Sequence, residues 1–329
     1  MTDTDIVAER PVPTLPATAP LQTPVLRRLG QSDLKVYPVA IGGNVFGWTA
    51  DATATDAVLD RYTGLGGNFI DTADSYAGGR SEIMIGNWLR RRGRRDDLVI
   101  ATKIGKSADH PGLSSRAVVD AVHASLGRLR TDRIDLLYLH VDDEQVPFEE
   151  TLMAVDQLIR SGAVRYFGAS NHTGNRLIEA RVACAMLGVA PMVALQNHYN
   201  LVHRGEYEKG LAHIARAQEL GVMPRFALAS GFLSGKYRSR NDLDGSARAA
   251  GIAPHLNKRG LRILAALDRI AAAHGVSCAT IAIAWLLAKP LVVAPVTSAT
   301  EPEQVDELMA AAQLRLTRQQ VVELDRASD

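Results

Sequence analysis

From residue 39 onward the sequence alternates eight times between a short apolar run and a longer stretch with helical periodicity, a pattern that few architectures accept. The runs 39–43, 68–71, 98–103, 134–140, 163–168, 193–196, 222–228 and 291–294 read as strands. They are followed by predicted helices at 53–65, 82–92, 116–129, 148–161, 174–187, 207–220, 261–273 and 302–312. Strands alternating with helices predict a parallel sheet, and eight units close a barrel. The expected fold is therefore α/β, a (β/α)8 TIM barrel. Two extra helices, 278–288 and 317–326, fall outside the count. Upstream, 25–29 and 34–36 flank the turn cluster Gly30-Gln31-Ser32-Asp33, which predicts an N-terminal β-hairpin closing the bottom of the barrel. An open doubly wound sheet would carry a glycine fingerprint after its first strand, and Gly42-Gly43-Asn44-Val45-Phe46-Gly47 lacks that spacing.

With 329 residues and 47% apolar content, the chain can bury one large core, so 25–329 reads as a single domain. Residues 1–24 mix Thr, Ala and five prolines without periodicity and read as a disordered tail. A net charge of +1 leaves no footprint for nucleic acid. The basic run Arg90-Arg91-Arg92, Arg94-Arg95 reads as a solvated helix end. Cys184 and Cys278 are far apart and lack metal spacing, which fits a reducing compartment, with Cys184 as a small core residue. The histidines form no ligand cluster, so no metal is expected. No apolar stretch reaches membrane length and the first 25 or so residues lack a signal-like core. The expectation is a cytoplasmic protein without a membrane partner. No long heptad is visible, and a monomer is the default.

Four polar residues sit at or just past strand-like runs: Asp71, Lys103, His140 and, five positions after Asp71, Tyr76. In a parallel barrel such positions open onto one face, where active sites of that architecture lie. A tyrosine, with a reference pKa of about 10, needs its phenolate favoured to act as an acid–base group near neutrality. The ammonium of Lys103 can supply that, and Asp71 can keep the ammonium charged. His140 can position a carbonyl oxygen beside the Tyr76 hydroxyl. Each residue alone also has an ordinary reading, as cap, packing or surface charge.

The stretch Phe69-Ile70-Asp71-Thr72-Ala73-Asp74-Ser75-Tyr76, with Gly79, Ser81-Glu82, Ala101-Thr102-Lys103 and Asp135-Leu136-Leu137-Tyr138-Leu139-His140, resembles the aldo-keto reductase family. The resemblance covers about residues 25 to 325. It implies an NAD(P)H-dependent oxidoreductase in which hydride passes between the nicotinamide and a carbonyl carbon, and Tyr76 gives the proton. It assigns Ser170, Asn171 and Gln196 to the nicotinamide carboxamide. It also assigns Ser230, Gly231 and Lys236, within Ala229-Ser230-Gly231-Phe232-Leu233-Ser234-Gly235-Lys236-Tyr237, to the loop over the pyrophosphate, and counts Leu228 just before it among the cofactor-binding residues. NADPH is the first choice of cofactor, with NADH open.

Two positions depart from the family pattern. Arg225 stands where an aromatic residue often stacks on the nicotinamide, unless a one-residue slip gives that place to Phe226. A stacked guanidinium would disfavour the cationic oxidised ring more than the neutral reduced one. After the eighth strand, where a cation commonly reads the 2′-phosphate, the chain offers only Ser298, Thr300 and Gln304 beside Glu301 and Glu303. Arg248 is the candidate for the missing charge, or else a surface arginine. Phe46, Trp48, Tyr76, His140 and Val141 are expected to line the substrate entrance, and Asp142 and Asp143 to bond hydroxyls or to cap. The short loop Ala77-Gly78-Gly79 suggests a pocket open to bulky ketones, sugars or polycyclic alcohols. The leading expectation is a reductase of small-molecule aldehydes or ketones. The alternative is a nicotinamide-binding regulatory subunit with little turnover. A phosphate-handling barrel isomerase or lyase would leave the Tyr-Lys-Asp unit unexplained.

Overall fold

The computed structural model describes residues 23–329. The expectation of a disordered tail over 1–24 therefore lies, but for its last two positions, outside the described residues. The chain opens with the predicted hairpin, β1 (Arg27–Arg28) and β2 (Lys35–Val36), antiparallel with Arg27 opposite Val36. Eight parallel strands follow: β3 (Ala40–Gly42), β4 (Phe69–Asp71), β5 (Val99–Ile104), β6 (Ile134–Leu139), β7 (Val164–Ser170), β8 (Ala194–Gln196), β9 (Gly221–Val222) and β10 (Val296–Thr297). Their order is β10-β3-β4-β5-β6-β7-β8-β9. The two edges meet where Val222 donates to the Leu291 carbonyl at 2.9 Å and accepts from the Val293 amide at 2.8 Å. The result is the expected (β/α)8 architecture.

Three expected elements are redrawn. The run 291–294 supplies the closing bridge to β9, whereas the strand that pairs with β3 lies beyond it at β10. Pro295 stands between the two and has no N–H to give a ladder, so it offers only its carbonyl, to Ala40 at 3.0 Å. The seventh strand, expected over 222–228, shrinks to β9 because Pro224 follows it and Phe226 takes a left-handed conformation with φ 54°. The helix expected at 207–220 begins as a π turn, Tyr207–Leu211, and becomes α6 (Ala212–Ala217).

The outer helices are α1 (Ala52–Gly64), α2 (Arg80–Arg92), α3 (Ser115–Leu129), α4 (Phe148–Arg160), α5 (Gly174–Leu187), α8 (Lys258–His274) and α10 (Pro302–Ala310). The extra helices are α9 (Cys278–Leu287) and α11 (Arg318–Ser328), and a short α7 (Ala249–Ile252) sits in the long loop. Several starts are fixed by side-chain caps of the expected chemistry: Asp51, Ser114, Thr173, Asn257, Ser277 and Thr317 each accept a backbone N–H in the first turn. The basic run does end α2, where Arg92 and Arg94 pair with Asp97. Among the described residues, no single helix is long and apolar enough to cross a membrane.

Buried apolar residues separate into two layers. One fills the space between strands and helices and includes Trp88, Trp285 and Cys184. The other fills the barrel itself: Phe69, Val99, Ala101, Leu136, Tyr138, Ala194 and Met223, with Leu29, Leu34 and Val36 of the hairpin plugging the floor. Side chains alternate along a strand, so the next inward positions after these are Asp71, Lys103, His140, Gln196 and Arg225.

Near the floor, Asp135 is fully buried and gathers three elements. It accepts from the Arg95 guanidinium at 2.6 Å, the Ile100 amide at 2.9 Å and the Arg165 guanidinium at 3.2 Å. Replacing it leaves these donors without their acceptor. Asp135→Ala is expected to cost about 2–4 kcal/mol in urea unfolding; a loss under 0.5 kcal/mol would contradict this role.

Candidate active site

The mouth of the barrel holds a cleft of about 470 Å³. Asp71, Tyr76, His140, Asn171 and Gln196 line it, as do Arg225, Phe226, Leu228, Ser230, Gly231, Lys236, Arg248, Ser298, Thr300 and Gln304. Lys103 lies just beneath, fully buried. Its Nζ donates to Asp71 Oδ1 at 2.5 Å, to the Thr72 carbonyl at 2.7 Å and to the Tyr76 hydroxyl at 3.3 Å. Burial pulls the ammonium down, but Asp71 and then Tyr76 more than offset it, and Lys103 ends above an ordinary lysine. The other Asp71 oxygen accepts from Gln196 Nε2 at 2.8 Å. Tyr76 opens a 3-10 turn, Tyr76–Gly79, in which Ala77 and Gly78 take left-handed φ of 51° and 64° and fold the loop back.

His140 stands edge-on to Tyr76, ring centroids 6.0 Å apart. Burial, then the cations Lys103, Lys106 and Arg225, push its imidazole down to about 2, so the ring is neutral at any working pH. Its Nδ1 has no hydrogen-bond partner among the described residues. The Asn171 amide donates to the His140 carbonyl at 2.8 Å and to Ser170 Oγ at 3.2 Å. Asn171 thus spends both of its amide N–H groups, and Gln196 one of its own, inside the protein, while their amide oxygens remain acceptors. Ser170 itself is buried behind Asn171 and does not line the cleft.

Farther along, Ala229–Ser234 form a 3-10 segment interrupted by left-handed Ser230 and Gly231, where the Gly231 amide donates to the Leu228 carbonyl at 2.9 Å. The segment carrying Arg248 packs against it, since a Cβ on Gly251 would stand 2.7 Å from Ser230 Oγ. Ser298 Oγ bonds Asn44 Oδ1, and Gln304 accepts from the Thr300 amide at 3.0 Å. Arg225 and Phe226 both reach the cleft, the guanidinium 4.9 Å over its neighbour's ring.

The expected substrate entrance needs correction. Phe46 is fully buried, because the 3-10 turn Gly43–Val45 folds it back into the helix–strand layer, so it does not line the cleft. Trp48 is 55% exposed outside the lining, with the Arg248 guanidinium 5.8 Å over its ring. Val141 is half-buried against the Gly105 turn rather than on the cleft wall. Asp142 pairs with Arg176 at 2.9 Å, and Asp143 accepts the Leu113 amide at 2.9 Å, so both serve structure. Sequence reasoning missed Asn44, Lys106, Tyr237 and Glu307, which line the cleft. Only the position of Lys106, three residues past Lys103, gave a signal. No metal-ligating group occurs among the described residues.

A model of the aldo/keto reductase family matches residues 38–329. A probable voltage-gated potassium channel subunit beta of Arabidopsis thaliana is 35% identical over 295 residues, covering 87% of this chain and 90% of the relative. An aryl-alcohol dehydrogenase of Pestalotiopsis microspora is 30% identical over 314 residues, covering 91% and 80%. A norsolorinic acid reductase of Aspergillus flavus is 28% identical over 311 residues, covering 89% and 78%. The chain belongs to the aldo/keto reductase family of NAD(P)H-dependent oxidoreductases, which act on small-molecule carbonyl substrates.

Beside this unit, Asp74 is 2% exposed and neither carboxyl oxygen has a hydrogen-bond partner among the described residues. Burial, then the charge of Glu82, raise it to about 7. The folded state therefore holds a proton that the unfolded state, with a pKa of about 3.9, releases. Stability from this group is full below about pH 4 and is lost as pH rises toward 7. Asp74→Asn should stabilise the protein relative to wild type by about 2–4 kcal/mol more at pH 8 than at pH 4.5 in urea unfolding. An equal difference at both pH values would contradict it.

Proposed function

We propose that this member of the aldo/keto reductase family reduces the carbonyl group of an aldehyde or ketone, with NADPH as cofactor and Tyr76 as the proton donor. The observation that carries the reading is the buried Lys103 ammonium, fixed by Asp71 and the Thr72 carbonyl and 3.3 Å from the Tyr76 hydroxyl. When held in the cleft, a reduced nicotinamide would supply hydride to a carbonyl carbon. Tyr76 hydrogen-bonds the carbonyl oxygen and gives it the proton as negative charge develops there. Lys103 stabilises the phenolate that remains. Asp71 keeps the ammonium charged and aimed. His140, neutral, contributes a ring N–H beside Tyr76 and so fixes the carbonyl between two donors. The free amide oxygens of Asn171 and Gln196 suit the N–H groups of a carboxamide. Lys236 and the Ser230–Gly231 turn suit a pyrophosphate, because the ammonium supplies charge and glycine lets a ligand approach the backbone closely.

NADPH is favoured over NADH because Arg248 lines the cleft beside that turn with no ion-pair partner among the described residues. Glu307 and Glu301 oppose it, and the positive charge of Arg248 is what the preference rests on.

A second reading has one specific support: the relatives from Arabidopsis thaliana and Oryza sativa are named as probable channel beta subunits. On that reading the cleft binds nicotinamide cofactor with little turnover and serves a partner. Steady-state oxidation of NADPH and NADH against aldehydes and ketones separates the two. Turnover should occur and fall about 10²–10⁴-fold in Tyr76→Phe, with NADPH affinity kept within a few-fold. Tight NADPH binding without turnover on any carbonyl would favour the regulatory reading.

A further inference from the structure

Two cations in the mouth have no part in the chemistry just described. Lys106 follows the Gly105 turn at the end of β5, and Arg225 is the inward position after Met223; both line the cleft with Tyr76 and His140. Neither is in an ion pair among the described residues, unlike Arg176 near the same rim, which is held by Asp142. The Arg225 Nε is buried and has no hydrogen-bond partner among the described residues. Of the carboxylates that could neutralise the pair, Asp71 is committed to Lys103 and Gln196. Glu206, whose charge reaches Arg225, is bonded by His203 at 3.0 Å. Burial and then the charges of Arg225 and Lys103 push the Lys106 ammonium down, and Lys106 and Arg225 in turn both act on His140. The two cations therefore face the same space beside the reacting carbonyl. Arg225, half-buried with an unbonded Nε, and Lys106, exposed at the rim, leave that space with an excess of positive charge that a ligand's anion would balance.

We propose that the substrate is a carbonyl compound bearing a carboxylate, and that Lys106 and Arg225 hold that carboxylate while the carbonyl oxygen lies at Tyr76 and His140. The inference rests on the oxidoreductase reading of the same cleft. Lys106 is the specificity residue of the pair, being exposed at the rim, whereas Arg225 is also in reach of a bound cofactor. A guanidinium and an ammonium suit a carboxylate differently: the planar fork can bond both oxygens, and the ammonium adds a mobile point charge.

The test compares 4-carboxybenzaldehyde with its methyl ester, in wild type and Lys106→Met. The ester carbonyl compound is the more electrophilic aldehyde, so a chemical bias alone favours it. Wild type should nevertheless show a kcat/KM at least about tenfold higher for the acid, and Lys106→Met should lose most of that ratio. The KM for the acid should rise with added KCl while that for the ester stays flat. A binding arm uses 4-(hydroxymethyl)benzoate and its methyl ester with NADPH present, a combination that cannot react. The acid should bind at least about tenfold tighter in wild type and about equally in Lys106→Met. That arm separates the two claims. Discrimination in binding without turnover on either aldehyde would keep the carboxylate site and remove the reductase reading. Equal kcat/KM and equal affinity for acid and ester, or a ratio unchanged in Lys106→Met, would overturn the carboxylate site.

Discussion

The arrangement at the mouth depends on one interaction, the ion pair between Lys103 and Asp71 inside a barrel otherwise filled with apolar side chains. Both groups are at most 1% exposed. Taking an ammonium and a carboxylate out of water costs several kcal/mol each, which their attraction offsets only when the remaining valences are also satisfied. Here they are: the ammonium has the Thr72 carbonyl and the Tyr76 hydroxyl, and the carboxylate has the Gln196 amide. These contacts tie β4, β5 and β8 together, so the register of the parallel strands and the aim of the ammonium are one constraint.

Depth along the barrel axis sorts the roles of the inward positions. At the floor the hairpin supplies Leu29, Leu34 and Val36, and Asp135 collects arginines from neighbouring elements. The middle layer is apolar. One inward step further, a carboxylate, an ammonium, an imidazole, an amide and a guanidinium arrive together because the strands that carry them end at a similar height. The charge there is lopsided. Lys103 is balanced, while Lys106 and Arg225 are not; burial first, and then all three cations, keep His140 neutral.

Much of this was legible in the sequence, for physical reasons. The eightfold alternation survives because buried parallel strands must be apolar and their crossovers amphipathic. The inward period of two then carries Asp71, Lys103 and His140 to one rim. What escaped depends on tertiary geometry. The run 291–294 is more apolar than β10, yet Pro295 hands the pairing with β3 to the less obvious segment. Phe46 looks like a pocket wall until a 3-10 turn folds it into the core. A solitary Lys106 resembles any solvated loop lysine, and nothing in its neighbours states that its counter-charge is missing. The unbonded carboxyl of Asp74 is likewise a matter of what surrounds it in space.

In the proposed reaction Asp71, a residue touching no substrate, controls proton delivery by keeping Lys103 charged and aimed at Tyr76. The most direct measurement is the single-turnover rate of NADPH oxidation in Asp71→Asn, with NADPH affinity titrated in the same samples. Asp71→Asn is expected to lose about 10²-fold or more in rate while the cofactor still binds within a few-fold of wild type. A rate within threefold of wild type, with the cofactor bound, would contradict it.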